Sequence, residues 1–209
     1  MSEILEILKK SGALLIDDHF VYTSGKHGAI YINKDALYVH TGFASEVGRL
    51  LAMQAKGKDI EVVAGPALGG IILSQWTAHH LEKIENREIL SVYTEKTADG
   101  GQIFTRGYDQ IVANKKVFIV EDLVTTGGSV AKVVQSVNAV GGKVILVGVM
   151  IDRSPENAPA TAESIGAPFF ALDRLPVQIF EAIDCKLCQA GVPVNTSVGH
   201  GKKFIAAKK

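Results

Sequence analysis

Glu121 and Asp122 stand side by side after the apolar run Val117 to Val120, and Thr125-Thr126-Gly127-Gly128-Ser129 follows at once, opening a new helical pattern. Glycines let backbone N–H groups approach an anion closely, hydroxyls add donors, and a helix N-terminus contributes a favourable dipole; together they suit a monophosphate. Two adjacent carboxylates can accept hydrogen bonds from vicinal ribose hydroxyls. The segment lacks the Gly-Lys-Ser/Thr of a nucleotide-triphosphate loop and the G-x-G-x-x-G of a dinucleotide turn. A bland strand-to-helix turn explains the glycines but not the acidic pair, so the expected ligand is a phosphorylated ribose.

These residues need a strand to deliver them and a helix to receive them. From residue 60 onward, β-branched runs (Ile60 to Ala64, Ile89 to Tyr93, Lys116 to Val120, Val144 to Ile151) alternate with helical patterns, the first helix running through Trp76. That alternation predicts an α/β fold with an open, mostly parallel sheet and helices on both faces. Val130, Val133, Val134 and Val137 recur at helical spacing after the loop, and Gly141-Gly142 ends that helix. Phe43, Val47, Leu50 and Leu51 form a similar stripe earlier. A site at the carboxyl end of a parallel strand is where such sheets bind ligands.

Two regions fall outside the alternation. Thr94 to Asp109 reads as a long polar loop, of a kind that is usually functional or mobile. The chain from about Asp173 is mixed, and 1–40 together with 173–209 is expected to form a small cap on a single domain of 209 residues. Lys+Arg and Asp+Glu both count 22, so no global field gathers nucleic acid and the partners expected are small molecules. No apolar stretch reaches the roughly 18 to 20 residues that span a bilayer, and the amphipathic start MSEILEILKKSGALL has no signal core. No membrane partner and a cytoplasmic location are expected.

Further candidates lie elsewhere. The glycines of Gly65 to Gly70 remove side chains where an anion could sit, or merely connect a strand to a helix. Arg153, after Ile151-Asp152, either pairs with Asp152 or captures a carboxylate with its planar fork. Lys26 and His27 read as a polar turn, His27 having no second histidine at ligand spacing. Cys185 and Cys188 supply half a zinc site, with His200 as a third ligand or a second chain completing it; two reduced cysteines on a helical turn of the cap is the expected reading.

VFIVEDLVTTGGS resembles the 5-phosphoribosyl 1-diphosphate motif of type I phosphoribosyltransferases. Three further segments are similar to the orotate phosphoribosyltransferase family: TSGKHGAIYIN (Thr23 to Asn33), GPALGG (Gly65 to Gly70) and Ile151-Asp152-Arg153. The matches keep the family's order over about two-thirds of the chain. The resemblance implies transfer of a phosphoribosyl group from 5-phosphoribosyl 1-diphosphate to orotate, giving orotidine 5′-phosphate and diphosphate, with Mg2+ held mainly through substrate. It implies that Lys26, Tyr31 and Ile32 line the base pocket, that Ala67, Leu68 and Gly69 face the diphosphate, and that Arg153 meets the orotate carboxylate. Glu121 and Asp122 would hold the ribose, Thr125, Thr126, Gly127, Gly128 and Ser129 the 5-phosphate. The family's loop reaches a neighbouring subunit, so a homodimer is expected in which 94–109 carries Lys96 and Arg106 to the partner's diphosphate. Here the loop departs from the family: Tyr93-Thr94 replace its Arg-Lys, and no histidine occurs between residues 81 and 199. Transfer to a purine or other base, and non-catalytic binding of the activated sugar or a nucleotide, remain alternatives.

Overall fold

The computed structural model describes residues 1–155 and 159–207, so the last two positions of the expected cap lie outside it. The main sheet consists of β5 (Val62–Pro66), β6 (Leu90–Lys96), β7 (Gln102–Phe104), β8 (Lys116–Val124), β9 (Lys143–Asp152) and β10 (Phe169–Arg174), in the spatial order β10-β9-β8-β5-β6-β7. Only β7 runs antiparallel, against β6. Successive side chains of a strand face opposite sides, and β8 uses both. Phe118 and Val120 enter the core under α1 (Glu3–Lys10), α3 (Thr41–Ala55) and α4 (Gly69–Glu85), whereas Val117 and Ile119 enter the one under α6 (Gly128–Ala139).

Valine is a mediocre helix former, so packing rather than propensity must hold α6. Val130, Val133, Val134 and Val137 are all buried, each contributing roughly 1.5 to 3 kcal/mol relative to exposure. Gly141, at φ 80°, turns the chain out of the helix. α1 forms within the amphipathic start, with Ser2 accepting from the Leu5 N–H and Glu3 and Glu6 in its first turn, but it stops at Lys10, and Leu14–Leu15 are a strand instead of its continuation.

β8 pairs with β5 only over Val117 to Ile119, but with β9 as far as Val124. The chain fills the sheet outward from β5 to β6, then from β8 to β9 and β10 on the other side. β5 and β8 therefore flank the topological switch point, and the unpaired side of β8 from Val120 onward borders a crevice there.

Several boundaries differ from expectation. Glu121 and Asp122 lie within β8 and not beyond it, because β9 goes on pairing through Val124. α4 continues past Trp76 to Glu85, where Asn86 adopts a left-handed conformation. The half-buried edge strand β10 was not foreseen, its residues being too weakly alternating to register. Thr94 to Asp109 is not a loop but a hairpin of β6 and β7 followed by α5 (Tyr108–Val112). Its apolar pins are few and dispersed: Phe104 and Tyr108 pack on the second core, and the Tyr93 and Tyr108 rings meet at 5.3 Å.

Short elements at both ends of the chain complete the molecule. β1 (Leu14–Leu15) pairs with β4 (Tyr31–Ile32), and β2 (Phe20–Val21), β3 (His27–Gly28) and β11 (Ile179–Phe180) form a small antiparallel sheet. The remaining helices are α2 (Lys34–Tyr38), α7 (Ala162–Ile165), a 3₁₀ turn (Ala182–Asp184), α8 (Lys186–Gln189) and α9 (Gly201–Ala207). None of the described helices is long and apolar enough to cross a membrane.

Candidate active site

The acidic pair sits at the switch-point crevice, both residues buried. The Asp122 N–H donates to Glu121 Oε1 at 2.9 Å, and the Leu123 N–H to Asp122 Oδ1 at 2.8 Å. Lys34 Nζ lies 2.9 Å from Asp122 Oδ2, and the Tyr38 hydroxyl donates to the same oxygen at 3.3 Å. Burial pushes the Glu121 carboxyl well above the usual carboxylate range, and the Asp122 charge adds to the shift. Burial alone would lower the Lys34 ammonium, but Asp122 and Glu121 outweigh it and the net shift is upward. Burial also raises the Tyr38 phenol. The crevice thus holds a carboxylate pair that already attracts a cation.

Gly69 closes one side of this group. A Cβ there would fall 2.0 Å from Asp122 Oδ2, so glycine lets the start of α4 pass without displacing the carboxylate. The neighbouring Ala67–Leu68 peptide is cis, and the Ala67 N–H donates to the Thr94 carbonyl at 2.8 Å.

After Val124 the chain turns into α6. Gly127 takes φ 80°, and a Cβ on it would lie 2.7 Å from Ile165 Cγ1, so both backbone and packing demand glycine. A Cβ on Gly128 would meet only Thr126 Oγ1, at 3.7 Å. Thr125, Thr126, Gly128 and Ser129 are exposed, and no side chain caps the helix start. The first N–H groups of α6 therefore remain available to an anion.

A cavity of about 1250 Å3 opens beside this loop and is lined by Thr125, Thr126, Arg153, Tyr22, Lys26, Tyr31, Ile32 and Lys34, among others. Arg153 follows β9, with its N–H bonded to the Val124 carbonyl at 2.8 Å. Its guanidinium lies 5.2 Å from the Tyr22 ring centroid, burial lowers its pKa, and its buried Nε has no hydrogen-bond partner among the described residues. It does not pair with Asp152, which accepts the Ser154 N–H at 2.8 Å and lies 3.6 Å from Arg174 Nε. A buried cation that lines a cavity and has no carboxylate partner among the described residues fits a carboxylate-bearing ligand.

Sequence-predicted residues therefore gather in two groups: Lys26, Tyr31, Ile32, Thr125, Thr126 and Arg153 at the cavity, and Glu121, Asp122 and Gly69 at the crevice. Ser129 lies at the start of α6, and Leu68 is exposed beside Gly69. Lys96 and Arg106 do not line the cavity; Arg106 pairs with Glu95 at 2.9 Å and lies 5.9 Å from the Tyr93 ring centroid. Lys34, Tyr38 and Tyr22 were not anticipated, although Tyr22 directly precedes TSGKHGAIYIN and Lys34 directly follows it. His27 is not a solvated turn residue: it is buried and its ring touches those of His19 and Phe204. His200 lines the cavity and is not a third ligand beside Cys185 and Cys188, which instead meet His19 and His27.

Residues 33–166 match the family model described as the phosphoribosyl transferase domain. An orotate phosphoribosyltransferase of Thermotoga maritima is 36% identical over 200 residues, covering 96% of this chain and all of that protein. The crystal structure of an orotate phosphoribosyltransferase from Aeropyrum pernix matches with a TM-score of 0.65 at 25% identity, over 82% of this chain and 93% of that one. The Mycobacterium tuberculosis orotate phosphoribosyltransferase in complex with 5-phospho-alpha-D-ribosyl 1-diphosphate matches with a TM-score of 0.60 at 25% identity, over 83% and 94%. With the buried acidic pair, the glycine-bearing turn after β8 and the Arg153 cavity beside it, these likenesses lead to one conclusion: the chain belongs to the phosphoribosyltransferases, in the orotate phosphoribosyltransferase family.

Proposed function

We propose that the chain transfers the phosphoribosyl group of 5-phosphoribosyl 1-diphosphate to orotate, yielding orotidine 5′-phosphate and diphosphate, as a cytoplasmic enzyme of pyrimidine nucleotide synthesis. The observation that carries the acceptor is Arg153, whose guanidinium is buried against Tyr22 and which lines the cavity that Thr125 and Thr126 border, with no carboxylate of the described residues paired to it. A carboxylated base supplies that cation with a counter-charge; a neutral base leaves it buried without one.

In this reading Thr125 to Ser129 and the uncapped start of α6 hold the 5-phosphate. Glu121 and Asp122 accept hydrogen bonds from the ribose hydroxyls. The base nitrogen attacks the anomeric carbon as diphosphate leaves, and the ribose ring gains positive charge. The Asp122 carboxylate, which draws the Lys34 ammonium to 2.9 Å, favours such a charge as well. Both Asp122 oxygens already accept bonds from the protein, so the residues fit Mg2+ held chiefly through substrate oxygens. When bound, Mg2+ neutralises the leaving diphosphate.

The reading includes a homodimer in which the hairpin 94–109 brings Lys96, with Arg106, to the neighbouring subunit's diphosphate. It is supported by the position of both cations outside the chain's own cavity and by Ile103, which is 47% exposed on β7. The site is tested by calorimetry of the activated sugar with Asp122→Asn and Gly128→Val. Sharply weaker binding by folded variants is expected, and unchanged binding in both places the sugar elsewhere.

A further inference from the structure

We propose that the chain binds one structural zinc ion through His19 Nε2, His27 Nδ1, Cys185 Sγ and Cys188 Sγ. These four atoms lie within 4.8 Å of one another, although the two histidines and the two cysteines come from opposite ends of the chain. His19 Nε2 is 3.6 Å from Cys185 Sγ and 3.8 Å from Cys188 Sγ, and His27 Nδ1 is 3.5 Å from Cys188 Sγ. Tetrahedral zinc, with Zn–N of about 2.0 to 2.1 Å and Zn–S of about 2.3 Å, separates its ligand atoms by roughly 3.3 to 3.8 Å. These three nitrogen–sulfur separations already match. The two ring nitrogens, 2.8 Å apart, need to open by only about half an ångström to meet the same geometry.

The surroundings also suit a metal. His19 Nδ1 is 2.8 Å from the Val192 carbonyl oxygen, which can only accept. The proton therefore sits on Nδ1, Nε2 presents a lone pair to the cluster, and the carbonyl orients the ring as the outer partner of a metal-bound histidine does. His19, His27 and Cys185 are fully buried. Two imidazoles and two thiolates make a closed four-coordinate set with no open position for substrate, the pattern of a structural rather than a catalytic zinc. Binding would release the two thiol protons to solvent and involves no change of oxidation state.

The fold has a use for such a clamp. From Gln178 to Ala207 the buried residues are Cys185 and Gly201, so apolar burial alone cannot offset the ordering of that segment. Its strand β11, the partner β3 and β2 beyond β3 contain two residues each. Yet this segment supplies Gln178, Ile179, Gly199 and His200 to the wall of the cavity, and Lys26 of that wall adjoins His27. The metal would hold that wall in place without touching substrate.

The rival is a metal-free cluster of hydrogen-bonded thiols and imidazoles, or one with Cys185 and Cys188 oxidised to a disulfide. Elemental analysis of the full chain, purified under reducing conditions without chelator, should find about one zinc per chain. Exchange for Co2+ should give the ligand-field bands of a tetrahedral site together with thiolate-to-cobalt charge transfer. Cys188→Ser, at the less buried cysteine, and His27→Gln should each cut the metal content at least tenfold and lower Tm. If reduced wild-type protein takes up neither zinc nor cobalt, or if Cys188→Ser retains the wild-type cobalt spectrum, the proposal is overturned; the wild-type measurement decides even where a variant does not fold.

Discussion

Replacing Arg153 separates a binding arginine from a structural one, because the two roles predict opposite effects on stability and activity. Burial lowers the Arg153 pKa, so the folded protein without ligand bears a cost for this cation. The packing over Tyr22, at 5.2 Å, returns about 0.5 to 2 kcal/mol. With Nε unpartnered, Arg153→Met should therefore change stability by no more than about 1 kcal/mol in either direction, an apolar stem of similar shape being tolerated where a buried charge stood. A charge-assisted bond to a bound carboxylate is worth about 1.5 to 3 kcal/mol. Its loss should lower kcat/KM for orotate by roughly one to two orders of magnitude. The affinity for the activated sugar should barely change. Arg153→Lys should recover only part, since an ammonium cannot reproduce the planar fork. Urea unfolding, sugar calorimetry and orotate kinetics on the same three proteins give the answer. If Arg153→Met loses several kcal/mol of stability, or loses sugar and orotate binding alike, the arginine is structural and the acceptor assignment fails.

Gly69→Ala should leave the fold intact but displace the Asp122 carboxylate, 2.0 Å from the new Cβ; a misplacement of about 1 Å predicts a fall in kcat/KM on the order of a hundredfold, and full activity would show that Asp122 tolerates being moved. Because burial raises the Glu121 carboxyl, its favourable contribution is complete at pH values below the ordinary glutamate range. It is lost as pH rises from about 4.3 through the raised folded value, at no more than about 1.4 kcal/mol per pH unit. Glu121→Gln should accordingly match the wild type near pH 4 and exceed it in urea unfolding at pH 7, and the reverse order would mean that the ionised form is satisfied. Segment 94–109 is tied to α6 by the bond from Lys132 Nζ to the Gly100 carbonyl at 2.7 Å and carries exposed residues. Its amides should exchange rapidly in the free protein and slow with both substrates bound, whereas equal protection in the two states would exclude a closing role.

What could be read from the sequence was what is contiguous along it. Val117 to Ser129 places strand, acid pair, loop and helix in one run, so periodicity and residue type suffice to mark a candidate sugar site and, with it, a parallel sheet. The Lys34–Asp122 pair could not be read, because α2, which Lys34 opens, meets β8 only once α2 and α4 have packed beside the crevice. The hairpin was hidden for a local reason: β7 has three residues, and the turn before it, with Gly100 at φ 81°, breaks the alternation that would mark a strand. Cys185-x-x-Cys188 was visible, but its partners lie at the other end of the chain, and His200, nearer in sequence, faces the cavity instead. Arg153 shows a middle case. Its residue type and strand-end position left carboxylate capture and an ion pair with Asp152 equally open, and the ion pair was removed only when Asp152 proved to be bound by Ser154 and approached by Arg174.

The most direct test of the central claim is diphosphate release from 5-phosphoribosyl 1-diphosphate with Mg2+ and a panel of acceptors: orotate, uracil, adenine, hypoxanthine and xanthine. Orotate should be used at least tenfold more efficiently than uracil, the same ring without the carboxylate, with orotidine 5′-phosphate formed in step with diphosphate. Turnover of a purine in preference to orotate, or binding of the activated sugar with no acceptor consumed, would contradict it.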